Sequence, residues 1–359
     1  MNKKVLVAMS GGIDSSVAAL LLNEQGYNCM GATMKLFYNE GVVCSDNSRT
    51  CCSLEDVEDA RSVAHMLGIP YHVFNFTGNF KEAVIDRFIT GYENGTTPNP
   101  CIDCNRYLKF DKLLHRASEL SFNYVATGHY AKVEYDAGAG RYLLKKARDQ
   151  WKDQSYVLYF MTQEQLGHTI LPLGDLEKSN VRSMAESRGF TNARKRESQD
   201  ICFVQNKSYA EFIEEQTGRV YAPGNFLDSE GVVLGTHKGI IRYTIGQRKG
   251  LGLSLPEPLY VCSLQPEQNT VTLGKSELLY RKTLIARDIN LIAVTHLDNV
   301  VRLKVKIRYH QPEQWAMVEQ IDEDTLYIEF EEPQRSVTRG QAVVLYDGDV
   351  VIGGGTIYE

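Results

Sequence analysis

The run Ser10-Gly11-Gly12-Ile13-Asp14-Ser15-Ser16 has residue types and spacing that could do chemistry. Glycines let a backbone turn tightly and come close to a ligand. A helix that starts at Asp14 aims its unbonded N–H groups and the positive end of its dipole at this turn, which makes an anion site suited to phosphate. Ser10, Ser15 and Ser16 add hydroxyl donors. Asp14 repels a phosphate unless Mg2+ stands between them, so the run points to a metal–nucleotide complex. On chemistry alone it reads equally well as a Gly-rich turn with Asp14 as a helix cap. A second candidate, Gly274-Lys275-Ser276, ends like a Walker loop, but Asn269 stands where that motif needs glycine.

Cysteines are the other reactive residues. Thr97-Pro98-Asn99-Pro100-Cys101-Ile102-Asp103-Cys104-Asn105 opens with two prolines that fix a rigid, non-helical entry. The apolar spacing predicts a helix from Lys109, which puts Cys104 just before a helix N-terminus, where a thiol has a lowered pKa and is a better nucleophile. Cys202, between Ile201 and Phe203, reads by itself as a small buried apolar residue. Cys44, Cys51 and Cys52 lie in a polar loop, where a metal site lacks a visible fourth ligand.

These residues need elements to hold them. Residues 3–8 form a short apolar run, the helix after the Gly-rich turn spans 14–25, and 28–34 is a second strand. Ser53 caps a helix that Gly68 and Pro70 stop. Residues 71–76 and 124–126 are further strands, with helical spacing over 80–92 and 109–120. Such alternation means an α/β domain with a parallel sheet covered by helices. Residues 163–188 read as helical with a break at Pro172 and Gly174, and 221–274 as short strands and loops. The last part is β: 301–309 alternates, 326–330 is a strand, and Asp347-Gly348 joins two strands in a tight hairpin. The expected architecture is an N-terminal α/β nucleotide domain over 1–205, a small central domain over 206–276 and a C-terminal β-barrel over 277–359.

The chain has 359 residues, 43% hydrophobic and 23% charged, as in ordinary globular proteins. No stretch approaches the length and apolarity of a membrane span. Eight cysteines without an export signal argue against a disulfide scaffold and for metal or redox chemistry in a cytoplasmic protein. A net charge of −6 weighs mildly against a polyanion partner, but local basic patches decide that question. Arg302, Lys304, Lys306, Arg308 and His310 alternate along one predicted strand face. Such an array suits a phosphate backbone, or is simply the solvated face of a barrel strand. Further basic groups are Lys145-Lys146-Ala147-Arg148, Arg194-Lys195-Arg196 and Arg248-Lys249.

The Gly-rich run matches SGGxDS, the signature of the PP-loop ATP pyrophosphatases. Further strings extend the likeness over nearly the whole chain: TPNP with CN over 97–105, ATGHYA over 126–131, KDQSY over 152–156, SQDICF over 198–203, YTIGQRKGLG over 243–252 and GGGTI over 353–357. Together they resemble the tRNA-uridine 2-sulfurtransferases, or tRNA-specific 2-thiouridylases. The resemblance implies that ATP adenylates the carbon-2 oxygen of the wobble uridine in tRNAs for Lys, Glu and Gln, and that sulfur then replaces AMP. It implies a persulfide on Cys202, with Cys104 as the second catalytic cysteine, leaving a Cys104–Cys202 disulfide to be reduced. Ala8, Met9, Ser10, Gly11, Gly12, Ile13, Asp14 and Ser15 would hold ATP with Mg2+, and Met34 and Gly128 would line the same site. Asn99, Pro100 and Cys101 would face the target base. His129, Lys152, Asp153, Gln154, Arg308, Tyr309 and Gln341 would contact the tRNA. A cysteine desulfurase or a sulfur relay protein is the implied donor.

One departure leaves alternatives open. Many members have an aspartate, a proposed general base, where this chain has Cys101; Asp103 is the nearest substitute. Cys101, Cys104 and Cys202 together could instead hold a [4Fe–4S] cluster with one iron open to sulfide, or zinc. Persulfide chemistry without metal, the cluster and zinc all remain in view. The competing functions are a PP-loop enzyme that adenylates a small molecule and a non-catalytic RNA-binding or iron–sulfur protein.

Overall fold

The computed structural model describes residues 3–37, 54–195, 201–204, 207–254 and 256–359. Ser53, Cys44, Cys51, Cys52, Arg196 and residues 198–200 of the SQDICF string lie outside the described residues.

The apolar run near the start becomes β1 (Lys4–Ala8), with Val5, Leu6 and Val7 fully buried as expected of a strand covered on both faces. It leads into α1 (Ile13–Glu24), and β2 (Asn28–Lys35), α2 (Leu54–Met66) and β3 (Tyr71–Asn75) follow. Three consecutive segments, Thr77–Phe80, Lys81–Asp86 and Arg87–Glu93, make one long helix, α3. Another helix, α4, runs through Pro100–Asp103, Cys104–Lys112 and Leu113–Glu119, its middle stretch wound as a π-helix. Then come β4 (Tyr124–Ala126), the hairpin β5 (Lys132–Asp136) and β6 (Arg141–Lys145), α5 (Gln163–Gly167), β7 (Thr169–Ile170) and α6 (Lys178–Ser187). Among the described residues the first sheet has the order β3-β2-β1-β4-β7, and all of its pairings are parallel.

The start of α4 corrects the sequence reading. Helical structure begins at Pro100, not Lys109, because Asn99 caps it: its Oδ1 accepts from the backbone N–H of Cys101 (3.2 Å) and Ile102 (3.4 Å). Proline suits the first helical position, since its missing N–H would go unused there. Cys104 therefore sits a full turn inside the helix, and Cys101 takes the place nearest the N-terminus.

The central part has a helix, α7 (Tyr209–Thr217), opened by a capping box between Ser208 and Glu211. A sheet of order β10-β11-β8-β9 follows, built from β8 (Gly224–Leu227), β9 (Val233–His237), β10 (Tyr260–Gln265) and β11 (Thr270–Gly274). The C-terminal barrel comprises β12 (Tyr280–Leu291), β13 (Val301–Lys306), β14 (Gln314–Asp322), β15 (Thr325–Arg335), β16 (Ala342–Asp347) and β17 (Val350–Ile357). Pairing between β12 and β17 closes it. The β5–β6 hairpin of the first part joins this sheet through β17, with Val350 opposite Lys145 and Val351 opposite Leu144.

The expected row of cations on β13 does not persist as one free face. Arg302 bonds Glu331 at 2.7 Å and lies 4.0 Å from the Trp315 ring centroid. The strand ends at Lys306, whose ammonium packs over Tyr156 and Tyr309 and is held below its ordinary range by burial. Arg308, beyond the strand, donates to the Ser336 carbonyl (2.9 Å) and to Thr338 Oγ1 (3.1 Å).

Candidate active site

From β1 the chain leaves toward β2, and from β4 it leaves toward β7, so the sheet's connections diverge between β1 and β4. Open α/β sheets bind ligands in the crevice outside the carboxyl ends of such a strand pair. Residues 10–12 form one lip of this crevice and residues 127–129 the other. Gly11 has φ +76°, and a Cβ there would lie 2.3 Å from the Asp56 carbonyl oxygen. A Cβ on Gly128 would lie 2.6 Å from both the carbonyl carbon of Asp14 and the backbone nitrogen of Ser15. Gly128 thus meets the first turn of α1 backbone to backbone and Gly11 meets Asp56 in the same way, which leaves no room for a side chain at either glycine.

The hydroxyls of the first lip hold its shape. Ser15 Oγ accepts from the Ser10 N–H (3.1 Å) and donates to the Gly12 carbonyl (3.0 Å), to which Ser16 Oγ also donates (3.0 Å). Asn192 Nδ2 clamps the loop from outside, donating to the Gly11 carbonyl and to Ser16 Oγ, each at 2.9 Å. Gly12, in the cap position, brings no side chain to the first-turn N–H groups of α1. Backbone donors left without a side-chain cap in this way are suited to an anion at the loop.

Asp14 sits in a network that its neighbours in sequence do not reveal. Its carboxylate accepts from Lys178 Nζ at 2.7 and 2.8 Å and from the Tyr130 hydroxyl at 2.8 Å. Lys178 begins α6, and its backbone N–H donates to Asp149 Oδ2 at 3.0 Å. Lys178 and Asn192 carried no local motif, and Tyr130 lay inside ATGHYA without an assigned role. The side chain of Met9 is in the core at 1% exposure, so only its backbone serves the loop, and Met34 and Ala8 border the core between the sheet and α3.

The cysteines occupy the next region. Cys101, in the first turn of α4, is exposed, whereas Cys104 and Cys202 are half-buried and pack against the same apolar cluster. Phe203 anchors the Cys202 segment there, with ring centroids 5.7 Å from Phe80, 5.3 Å from Phe88 and 5.1 Å from Phe212. Each such pair contributes about 0.5–1.5 kcal/mol beyond its buried area. The entry to α4 is braced by the barrel: the Thr97 N–H donates to the Arg339 carbonyl (2.8 Å), and Gln341 Nε2 donates to the Thr97 carbonyl (2.7 Å). Asp103, between the two cysteines of α4, has its carboxyl pushed up to about 6 by burial, against the pull of Arg87 and Arg106.

The remaining sequence candidates differ in setting. His129 is buried, stays neutral because burial depresses its pKa well below the usual value, and shares a 2.6 Å hydrogen bond between Nδ1 and Thr127 Oγ1. Asp153 is also buried and accepts from the Ala147 N–H (2.9 Å) and Ser155 Oγ (2.7 Å), so its carboxylate faces inward. Gln154 exchanges hydrogen bonds with the Tyr130 backbone, and the Tyr309 ring lies 6.0 Å from that of Tyr156. The KDQSY turn, Tyr130 and Tyr309 are thus close neighbours, while Gln341 belongs with the TPNP segment.

Comparison with known proteins adds to this geometry. The domain family described as tRNA methyl transferase HUP domain matches residues 3–206. The tRNA methyl transferase PRC-barrel domain matches 210–275, and the aminomethyltransferase beta-barrel domain matches 281–357. The tRNA-specific 2-thiouridylase MnmA of Clostridioides difficile (strain 630) is 51% identical over 357 residues, 99% of this chain and 98% of that protein. The protein of the same name from Symbiobacterium thermophilum is 52% identical over 359 residues, 99% of this chain and 92% of its own length. Among solved structures, a 4-thiouridine synthetase–RNA complex with bound ATP aligns with 18% identity and a TM-score of 0.34, covering 60% of this chain and 50% of that one.

Proposed function

Because the chain belongs to the tRNA-specific 2-thiouridylases, and its work is therefore the 2-thiolation of tRNA uridine, we propose that it activates the uridine with ATP at the crevice between β1 and β4 and transfers sulfur through Cys202 and Cys104. The name of the first domain family mentions methyl transfer, but two motif cysteines on one core suit sulfur chemistry. The target is the wobble uridine of tRNAs for Lys, Glu and Gln, and the setting is the cytoplasm, where thiols stay reduced. Among the described residues no helix is long and apolar enough to cross a membrane.

ATP fits the first lip, where the uncapped N–H groups at the start of α1 would cradle its phosphates and the contact of Gly128 with Asp14 and Ser15 fixes the position of that first turn. ATP supplies a leaving group: the uridine carbon-2 oxygen displaces pyrophosphate from the α-phosphorus, and a poor leaving oxygen becomes part of AMP. Mg2+ bound with ATP would neutralise phosphate charge and would need few protein ligands. Asp14 is the loop's carboxylate that would hold it, and Lys178 and Tyr130 hold that carboxylate in place. The terminal sulfur of a Cys202 persulfide then attacks carbon 2 and AMP leaves. Cys104 attacks the Cys202 sulfur, breaking its bond to the transferred sulfur and forming a Cys104–Cys202 disulfide. A thiol reductant restores both cysteines, and a cysteine desulfurase or relay protein recharges Cys202. Asn99, Pro100 and Cys101, on the braced entry to α4, face the target base.

What supports the two-cysteine route is that Cys104 and Cys202, far apart in sequence, border one core cluster. The cluster and zinc alternatives need three cysteines turned to one point. Among the described residues no group of three or more His, Cys, Asp or Glu side chains is disposed to hold a metal. The test is release of pyrophosphate from ATP that depends on unmodified tRNA, with 2-thiouridine detected by mass spectrometry when a sulfur source is added. Pyrophosphate release that ignores tRNA and follows a small molecule would sink the proposal.

Asp103 gives this reading a pH signature. A carboxyl near 6 can accept a proton at neutral pH. Thiolation is expected to rise with pH through an acid limb centred near 6, and Asp103→Asn should remove that limb; a pH–rate profile of each protein decides. The stability linkage has the opposite sense. Because the folded pKa is raised, the contribution is fully present below the unfolded value of about 4. It is lost as pH rises through about 6.

A further inference from the structure

We propose that Trp151 is a stacking platform for an unpaired base in the tRNA loop that carries the target uridine. The inference rests on the tRNA reading above. Trp151 is 94% exposed, the extreme among the tryptophans of the chain, and it stands between Gln150 and Lys152 in the turn before the KDQSY string.

This exposure belongs to a stiff turn. The Trp151 N–H donates to Asp149 Oδ1 (3.1 Å) and the Lys152 N–H to the Asp149 carbonyl (3.1 Å). Gln150 Nε2 donates to the Ala147 carbonyl (2.6 Å), and the Gln154 N–H to the Tyr130 carbonyl (2.8 Å). The ring is thus presented at a fixed place without contributing to the core. A large aromatic held in water forgoes the burial that usually stabilises it, and a partner with its own apolar face recovers that area.

The surrounding charge favours a nucleic acid. The acids of the turn point inward: Asp149 accepts from the backbone N–H groups of Trp151 and Lys178, and Asp153 from Ala147 and Ser155. Arg148 is well exposed beside them, with Glu177 3.9 Å away, and Lys152 follows directly. A planar ring flanked by cations matches a base with its phosphates, and loop bases can be splayed out to stack on aromatic side chains.

Position links the platform to the chemistry. Tyr130 bonds the turn through its backbone and Asp14 through its hydroxyl, and Lys178 bonds Asp149 through its backbone and Asp14 through its ammonium. A single residue on each of two routes separates Trp151's turn from the phosphate loop. A base held there is registered against the site of adenylation.

The chain has two tryptophans, so Trp315→Phe leaves Trp151 as the only indole reporter. Titrating that variant with unmodified tRNA is expected to quench its fluorescence saturably. By filter binding, Trp151→Ala in the otherwise unaltered chain is expected to weaken tRNA binding roughly 10-fold. The KM for ATP should be unchanged, and Trp151→Phe should keep most of the affinity. If tRNA is bound and thiolated while the fluorescence stays constant and Trp151→Ala binds equally well, the platform is refuted and the thiolation reading stands. If the unaltered chain neither binds nor thiolates tRNA, both fall. Quenching by a purified cysteine desulfurase but not by tRNA would refute an RNA platform in favour of a protein-docking surface.

Discussion

Gly128→Ala is expected to lower tRNA-dependent pyrophosphate release about 100-fold, the scale of loss when reacting groups are misplaced by about 1 Å. The added methyl would stand 2.6 Å from backbone atoms of Asp14 and Ser15, and those atoms cannot rotate away as a side chain can. The phosphate loop must shift, and with it the N–H groups of the first turn of α1. The core on either side of the sheet is untouched, so the circular dichroism spectrum should persist, with a stability loss of roughly 1–3 kcal/mol from overpacking. Stopped-time assays with labelled ATP measure the effect. A variant that releases pyrophosphate at the original rate would mean that the crevice between the two lips is not the nucleotide site.

The second large effect separates activation from sulfur transfer. Cys104→Ser and Cys202→Ser should each reduce thiolation by roughly three orders of magnitude or more, because a nucleophile that acts as part of a unit cannot be half replaced. Pyrophosphate release in the presence of tRNA should continue in both variants, since neither cysteine belongs to the phosphate loop. Cys101→Ser should keep most of the thiolation, because serine is close in size where the residue faces the target base and the exposed thiol takes no part in the two-cysteine route. Equal loss in all three variants, with activity that follows bound iron, would replace the persulfide route with a cluster. Normal thiolation by Cys104→Ser or Cys202→Ser would refute it outright.

The parallel sheet and the phosphate loop were legible because their signals are local. Three fully apolar residues precede the glycines, and the helix after them is ended by Gln25-Gly26. The start of α4 was misread because regular apolar spacing begins only near Lys109. The Asn99-Pro100 pair, a capping residue followed by a proline, was the better signal. The same kind of signal, Ser208 with Glu211, marks α7, which periodicity passed over. In β14, Trp315 and Met317 put apolar groups on the outer face and blurred the alternation that marked β13. The pairing of Asp14 with Lys178 spans 164 positions and has no local signature. Asp153 and His129 lie in quoted strings, yet their burial is a property of the packed chain, since strings do not say which way a side chain turns.

The β5–β6 hairpin also bears on how the chain is made. It lies within the first domain by sequence, yet β6 completes its hydrogen bonding only with β17, near the C-terminus. The bond from Lys146 Nζ to the Gly348 carbonyl bridges 202 positions. During synthesis the outer edge of β6 must therefore wait, unpaired, until β17 has left the ribosome. An unpaired edge is open to wrong partners, and contacts this distant in sequence form slowly. The hairpin cannot complete its pairing on its own as translation proceeds; its last strand partner serves as a check that the barrel has been made.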